Sequence, residues 1–279
     1  MKRFKHYVPV LFLPLLFLYS SQSHALPSQG DEEFVFKLGY FLPSFDTTLR
    51  VNNERLGRGD EVNLEKDLGI DVEETTIRGS VMWRMSERNK LTLDVFNFSR
   101  TGNKTIDRQI QIGDQIYPVG AELSSKFTFT IIPISWSYAF IKTPDWEVSA
   151  GAGVQWSQIN LKLNGNVSLS PISTSREATA AANAPLPLLG VDLKYMITPE
   201  WSVGGNLGAF AYKVAASGMD MQGNILSAAV NTEWWFTTYV GVGAALNWFY
   251  IGVEVDGAKW NGEFNYEYLG PQAYLTARF

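Results

Sequence analysis

After residue 25 the chain has no run of about 18 apolar residues, so none of its segments can cross a bilayer as a helix. Its apolar residues recur instead with a period of two. In the last ten positions Ala273, Leu275, Ala277 and Phe279 fall on one side of an extended chain, and Gln272, Tyr274, Thr276 and Arg278 fall on the other. One face suits lipid and the other suits water. If such segments enter a membrane they must close into a barrel, because lipid offers no partner to an unpaired backbone group.

Residues 1–25 have the layout of a secretory signal peptide, cleaved after Ala25: Lys2, Arg3 and Lys5, an apolar run from Val8 to Tyr19, then Ser23-His24-Ala25. Residues 26–279 then form one exported domain. Cysteine is absent, so disulfides do not brace it. Both histidines, His6 and His24, lie in the signal segment. Without Lys2, Arg3 and Lys5, 20 of the 23 basic residues remain against 28 acidic ones, a formal charge of -8. That balance argues against nucleic acid as a partner, since phosphate binding wants a basic face.

Ten alternating segments follow. The first runs from Phe34 to about Val51, with Phe34, Phe36, Leu38, Tyr40 and Leu42 on its apolar face. The last ends at Phe279. Long polar connections (residues 52–75, 102–124 and 164–185) alternate with tight turns such as Ser86-Glu87-Arg88-Asn89 and Lys142-Thr143-Pro144-Asp145. Residues 110–116 carry their own short alternation and predict a small hairpin standing above the barrel. The pattern predicts an all-β transmembrane antiparallel β-barrel of about ten strands, with eight and twelve as alternatives, short periplasmic turns and long extracellular loops. Trp146 and Trp156 share a face ten residues apart, about 26 Å of height at a tilt near 40°. Aromatic girdles bracket an apolar belt of about 25 Å in such barrels.

The terminal strand, closing on an aromatic, resembles the last strand of Gram-negative outer-membrane β-barrels. The resemblance implies that Phe279 belongs to the signal read by the barrel-assembly machinery, and that the chain is a protein of the cell outer membrane. The stretch Val62-Asn63-Leu64-Glu65-Lys66-Asp67-Leu68-Gly69-Ile70, with Trp83-Arg84 and Leu269-Gly270-Pro271-Gln272, resembles a group of uncharacterised proteobacterial outer-membrane β-barrels. It implies fold and location and no activity.

Strand parity sends Lys37, Arg78, Arg84, Asp94, Glu147, Asp192, Lys194, Glu233 and Arg278 inward. In a barrel this narrow, opposite charges either interlock as a structural network or line a narrow polar path. Lys37, Arg78, Arg84, Asp94, Asp192, Lys194, Glu233 and Arg278 are the candidate lining residues. The first loop gathers Asp60, Glu61, Glu65 and Asp67, a weak candidate for a hard cation or for lipopolysaccharide bridged by divalent ions. No cofactor is implied. Partners are the outer-membrane lipid and lipopolysaccharide. Known enzymes among outer-membrane barrels use a histidine, which the mature chain lacks, and no G-x-S-x-G occurs. The expected function is non-enzymatic, first a narrow pore or small-solute conduit; the alternative is a plugged structural or surface-interaction barrel acting through its extracellular loops, and a third reading is a hydrolase without histidine.

Overall fold

The computed structural model describes residues 32–52, 58–112, 115–169, 172–216, 219–257 and 261–279; the signal segment lies outside the described residues. Its strands are β1 (Phe34–Phe41), β2 (Ser44–Val51), β3 (Val62–Asn63), β4 (Thr76–Arg84), β5 (Asn89–Thr105), β6 (Ile110–Ile112) and β7 (Gln115–Tyr117). They continue with β8 (Glu122–Lys142), β9 (Trp146–Leu169), β10 (Ile172–Thr198), β11 (Trp201–Ala216), β12 (Met219–Trp235), β13 (Val240–Gly257) and β14 (Gly262–Arg278). One short helix, α1 (Leu64–Leu68), interrupts them.

Ten antiparallel strands close into a ring in the order β1-β4-β5-β8-β9-β10-β11-β12-β13-β14, with β14 returning to β1. The last residue completes the seal: the Phe279 N–H donates to the Phe34 carbonyl at 2.9 Å, and the Phe34 N–H to the Phe279 carbonyl at 3.0 Å. β2 continues the line of β1 along β14, Ser44 facing Leu269 and Val51 facing Gly262. The break falls at Leu42-Pro43, opposite Gly270-Pro271, where neither proline can donate to the ladder. Only glycine fits at position 270, because a Cβ there would stand 2.4 Å from the Pro43 Cα.

Along the ring the two faces exchange character at one level. Below it, nearest the short turns, the outer face is apolar (Leu38, Ile77, Leu93, Ile134, Val154, Leu207, Leu275) and the inner face is polar or small. Above it the outer face turns polar, and the inner face carries Phe45, Phe98, Phe127, Phe129, Tyr266 and Tyr268, all buried. Adjacent apolar residues mark the crossing on four strands: Val95-Phe96, Ile131-Ile132, Trp248-Phe249 and Tyr268-Leu269. The lower half is built for lipid, whereas the upper half has a polar outer face and its own aromatic core, and there β10 leaves β11 above Leu189↔Ala209.

β4 is short, so above Thr76 the edges of β2 and β5 face each other without a strand between them. Residues 62–75 fill this seam. β3 pairs with β2, and single bridges join Ile70 to Gly102 of β5 and Ser44 to Glu73. A helix of five residues has too few internal bonds to persist alone. α1 is held by the burial of Leu64 and Leu68, and by its caps. The Asn63 side chain accepts from the Lys66 N–H at 2.8 Å, the Asn63 N–H donates to Asp67 at 2.9 Å, and Gly69 closes the helix at φ +66°.

Three loop expectations are corrected. The connection expected at residues 52–75 is not simply polar, because Val62, Leu64, Leu68 and Ile70 enter the aromatic core. The hairpin β6–β7 exists, but Ile110, Ile112 and Tyr117 are buried in that core rather than raised above the barrel. Residues 164–169 and 172–185 are not a loop. β9 and β10 pair without a register shift from Trp146↔Tyr195 to Leu169↔Ile172, and β8 stays paired to β9 as far as Asn166.

Truncating Phe98 to Ala removes a fully buried ring from the upper core and is expected to cost about 3–5 kcal/mol. Thermal loss of heat-modifiable gel migration measures it. Leu207→Ala, on the lipid-facing side, should leave that transition nearly in place, since lipid tails fill the space.

Candidate functional site: a charged chamber beneath an aromatic plug

The lower lumen holds a chamber of about 440 Å³. It exists because its wall on β9 to β12 is thin. Gly151, Gly153, Gly190, Gly204, Gly208 and Ala229 face it with little or no side chain. The opposite wall, on β1, β4 and β5, carries Lys37, Arg78, Arg84, Lys90 and Asp94, and Glu147, Asp192, Lys194 and Glu233 reach in from β9, β10 and β12.

Those charges are paired. Arg78 forks onto Asp94 with contacts of 2.6 to 3.1 Å and donates to the Asn247 carbonyl oxygen at 3.1 Å. Lys37 meets Glu233, which also accepts from the Tyr274 hydroxyl at 3.0 Å. Glu147 takes both Arg84, at 3.0 Å, and Lys90. Lys194 lies 3.8 Å from Glu32. Asp192 faces the chamber, its cross-strand neighbours being Ser149 and Asn206, and makes no ion pair or side-chain hydrogen bond among the described residues.

Seven of the eight lining residues expected from parity border this chamber: Lys37, Arg78, Arg84, Asp94, Asp192, Lys194 and Glu233. Arg278 does not. Its guanidinium turns down to the rim, where Nε donates to the Thr238 carbonyl at 2.6 Å and the group stacks 4.2 Å from the Trp235 ring. Parity fixes the face from which a side chain leaves, and a long arginine still chooses its direction along the barrel. Lys90 and Glu32 escape the sequence reading. Lys90 has inward parity on β5 but sits beside a turn; Glu32 precedes the first strand and has no periodic signal.

The ceiling of the chamber is the floor of the plug. The Arg78 guanidinium lies 4.7 Å from the Phe96 ring centroid and 5.7 Å from that of Phe41. Above it the rings of Phe41, Phe45, Phe96, Phe98 and Tyr268 stack with centroids 4.9 to 6.5 Å apart. Such edge-to-face clusters pack ring against ring at close range.

Loop 1 is bolted to this plug by Arg100 of β5, which is fully buried. Its guanidinium donates to Glu65 at 2.6 Å, to the Asp71 carbonyl at 3.0 Å and to the Thr47 hydroxyl at 2.9 Å, and lies 4.1 Å from the Phe45 ring. The second Glu65 oxygen accepts the Thr47 N–H at 2.9 Å, taking the place of a missing strand partner. The proposed cation site is therefore corrected. Asp60 accepts the Gln111 N–H, Glu61 pairs with Arg50, Glu65 with Arg100 and Asp67 with Arg108, so the four carboxylates diverge to four partners. No group of three possible metal ligands converges among the described residues.

No protein-family model matches the sequence, and neither does any curated protein. Among solved structures the chain is similar to the outer membrane protease OmpT of Escherichia coli, with a TM-score of 0.62 at 14% identity over 90% of this chain and 98% of that one. The toluene transporter TbuX of Ralstonia pickettii aligns over 91% of this chain and 92% of its own at 11% identity, with a TM-score of only 0.37. The outer membrane protein OprG of Pseudomonas aeruginosa gives 0.38 at 7% identity, over 89% and 96%. The likeness to OmpT establishes an outer-membrane β-barrel fold and transfers no residue roles.

Replacing Arg100 with Met should cost about 3–5 kcal/mol, because it strands the buried Glu65 carboxylate. The double change Arg100→Met/Glu65→Met should recover most of that loss in the same unfolding measurement. A second outcome concerns pH. Burial raises the pKa of Asp67, but the Arg108 guanidinium and the Asn63 N–H outweigh it and hold the carboxyl below its ordinary value. A depressed carboxylate stabilises the fold above its unfolded pKa, about 3.9, and loses that contribution as pH falls through the folded value. Protease cleavage within residues 58–75 should therefore stay constant from neutral pH down to about 4 and rise only below it, with Asp67→Asn cleaved at every pH.

Proposed function

We propose that this is a non-enzymatic, integral outer-membrane barrel, closed to solutes, that acts through its extracellular half. The observation that carries the reading is the aromatic core across the upper lumen, sealed by α1 and by the β6–β7 hairpin. A conduit needs continuous polar surface from one mouth to the other. Here the polar chamber ends against Phe96, Phe249 and Tyr268. The half above the apolar band is built around this packed cluster. It presents the loop 1 segment, a hairpin and the long β9–β10 pair on a packed base, as a surface for recognition needs. The apolar outer band, the short turns at one end and the ring closed by Phe279 support placement in the outer membrane of a Gram-negative cell. A narrow conduit, the other reading, draws its support from the hydrated chamber and its thin wall.

Planar-bilayer recording of the refolded mature chain separates the two. The closed barrel gives no current steps while heat-modifiable migration shows it folded. Deleting residues 62–75, which opens both seam and mouth, should produce discrete steps. Regular steps from the intact chain would sink the closed reading and make Asp94, Asp192 and Glu233 the residues to neutralise next.

A further inference from the structure

The outer wall just above the apolar band is divided by charge. On β2, β12, β13 and β14 it bears Asp46, Asp220, Glu254, Asp256, Glu263 and Glu267. On β5, β8 and β9 it bears no carboxylate for several rows. Above Val95, Ile132 and Trp156, the last apolar residues of those three strands, come Asn97, Thr130 and Gln158, then Ser99, Thr128 and Asn160. The next row is Thr101, Lys126 and Lys162, with Thr101 facing Lys126 and Lys126 facing Lys162 directly.

Two lysines opposed across neighbouring strands repel each other, and proteins usually avoid the arrangement or offset it with an acid. Lys126 and Lys162 are both exposed, and neither makes an ion pair or hydrogen bond among the described residues. The nearest carboxylates by register, Glu122 facing Asn166 and Glu177 facing Asn164, stand in rows farther from the membrane. Beneath the pair lie only hydroxyls and amides. No described carboxylate shares their row, and two ammonium groups side by side suit a phosphate from outside the chain.

Height selects the source of that phosphate. Lys126 lies six residues beyond Ile132, and Lys162 six beyond Trp156, about 16 Å up the barrel wall at 3.4 Å per residue and a tilt near 40°. The headgroup layer of an ordinary bilayer leaflet is only about 5–7 Å deep. A phospholipid phosphate is too low, whereas phosphates on the sugars of a tall glycolipid headgroup reach this row, and the hydroxyl and amide rows beneath suit the sugars themselves.

We propose that Lys126 and Lys162 form a site for a phosphorylated sugar of an outer-leaflet glycolipid, and that the β5–β8–β9 wall is the face on which lipopolysaccharide is held. The site rests on the apolar band lying in a membrane but is independent of whether the lumen conducts. It is also independent of divalent ions, which the acidic wall opposite would need in order to meet the same lipid.

The test is titration of the refolded mature protein with purified lipopolysaccharide, in detergent containing EDTA, read as a shift of the folded band on native gels. Binding by the wild type, about 30-fold weaker in Lys126→Ala/Lys162→Ala, supports the site. So does equally weak binding of dephosphorylated lipopolysaccharide to the wild type. Lys213→Ala, an exposed lysine on β11, serves as the control and should bind as the wild type does. All variants must migrate as folded before lipid is added. The proposal is overturned if the wild type does not bind, if the double variant binds undiminished, if Lys213→Ala loses as much, or if phosphatidylglycerol competes at equal concentration.

Discussion

In hydrocarbon an unpaired N–H or carbonyl has no water to turn to, and this one cost dictates the rest of the architecture. It forces the strands into a ring, and it forces the first strand to find the last across nearly the whole chain. It also tolerates the prolines at 43 and 271 only where the strand changes partners. Once the ring is closed, each strand has one face toward lipid and one toward the lumen. Every later choice is a choice of what those two faces carry at each height.

The exchange of faces is the chain's answer to a boundary. A barrel that kept its apolar face outward past the lipid would expose a greasy wall to water, so the outer face turns polar. The inner face can then no longer rely on ion pairs alone to fill the space, and it turns aromatic. The consequence is two cores of different chemistry stacked on one axis. The lower is a balanced set of charges around a hydrated chamber; the upper is a packed cluster of rings. Arg78 belongs to both, since its guanidinium is tied to Asp94 below and covered by Phe96 above. Arg100 plays the matching part between the ring cluster and the loop that closes it.

The ring of ten was legible because residues such as Phe34 to Leu42, or Val148 to Trp156, hold one phase throughout the lipid. The phase change was visible too, in pairs such as Val95-Phe96 and Ile131-Ile132, but a pattern that inverts reads as noise to a search for steady alternation. Loop 1 was misread for another reason. Val62, Leu64, Leu68 and Ile70 are spaced singly among acids, and only the gap left by the short β4 shows where they go. The β9–β10 pairing was hidden by composition, because its serines and alanines carry little strand preference and the pairing is set by neighbours across the hairpin. The chamber's membership followed parity for seven residues and failed at Arg278, whose backbone obeys the alternation while its guanidinium does not.

The bond between Phe34 and Phe279 has one more consequence, in time rather than space. Nothing shorter than the full span between them can form this ring, so a nascent or clipped chain is an open sheet with two bare edges. Contacts this distant in sequence form slowly, and partial closure gains little until the last pair meets. Until Phe279 meets Phe34, both edges of the sheet stay open to pairing.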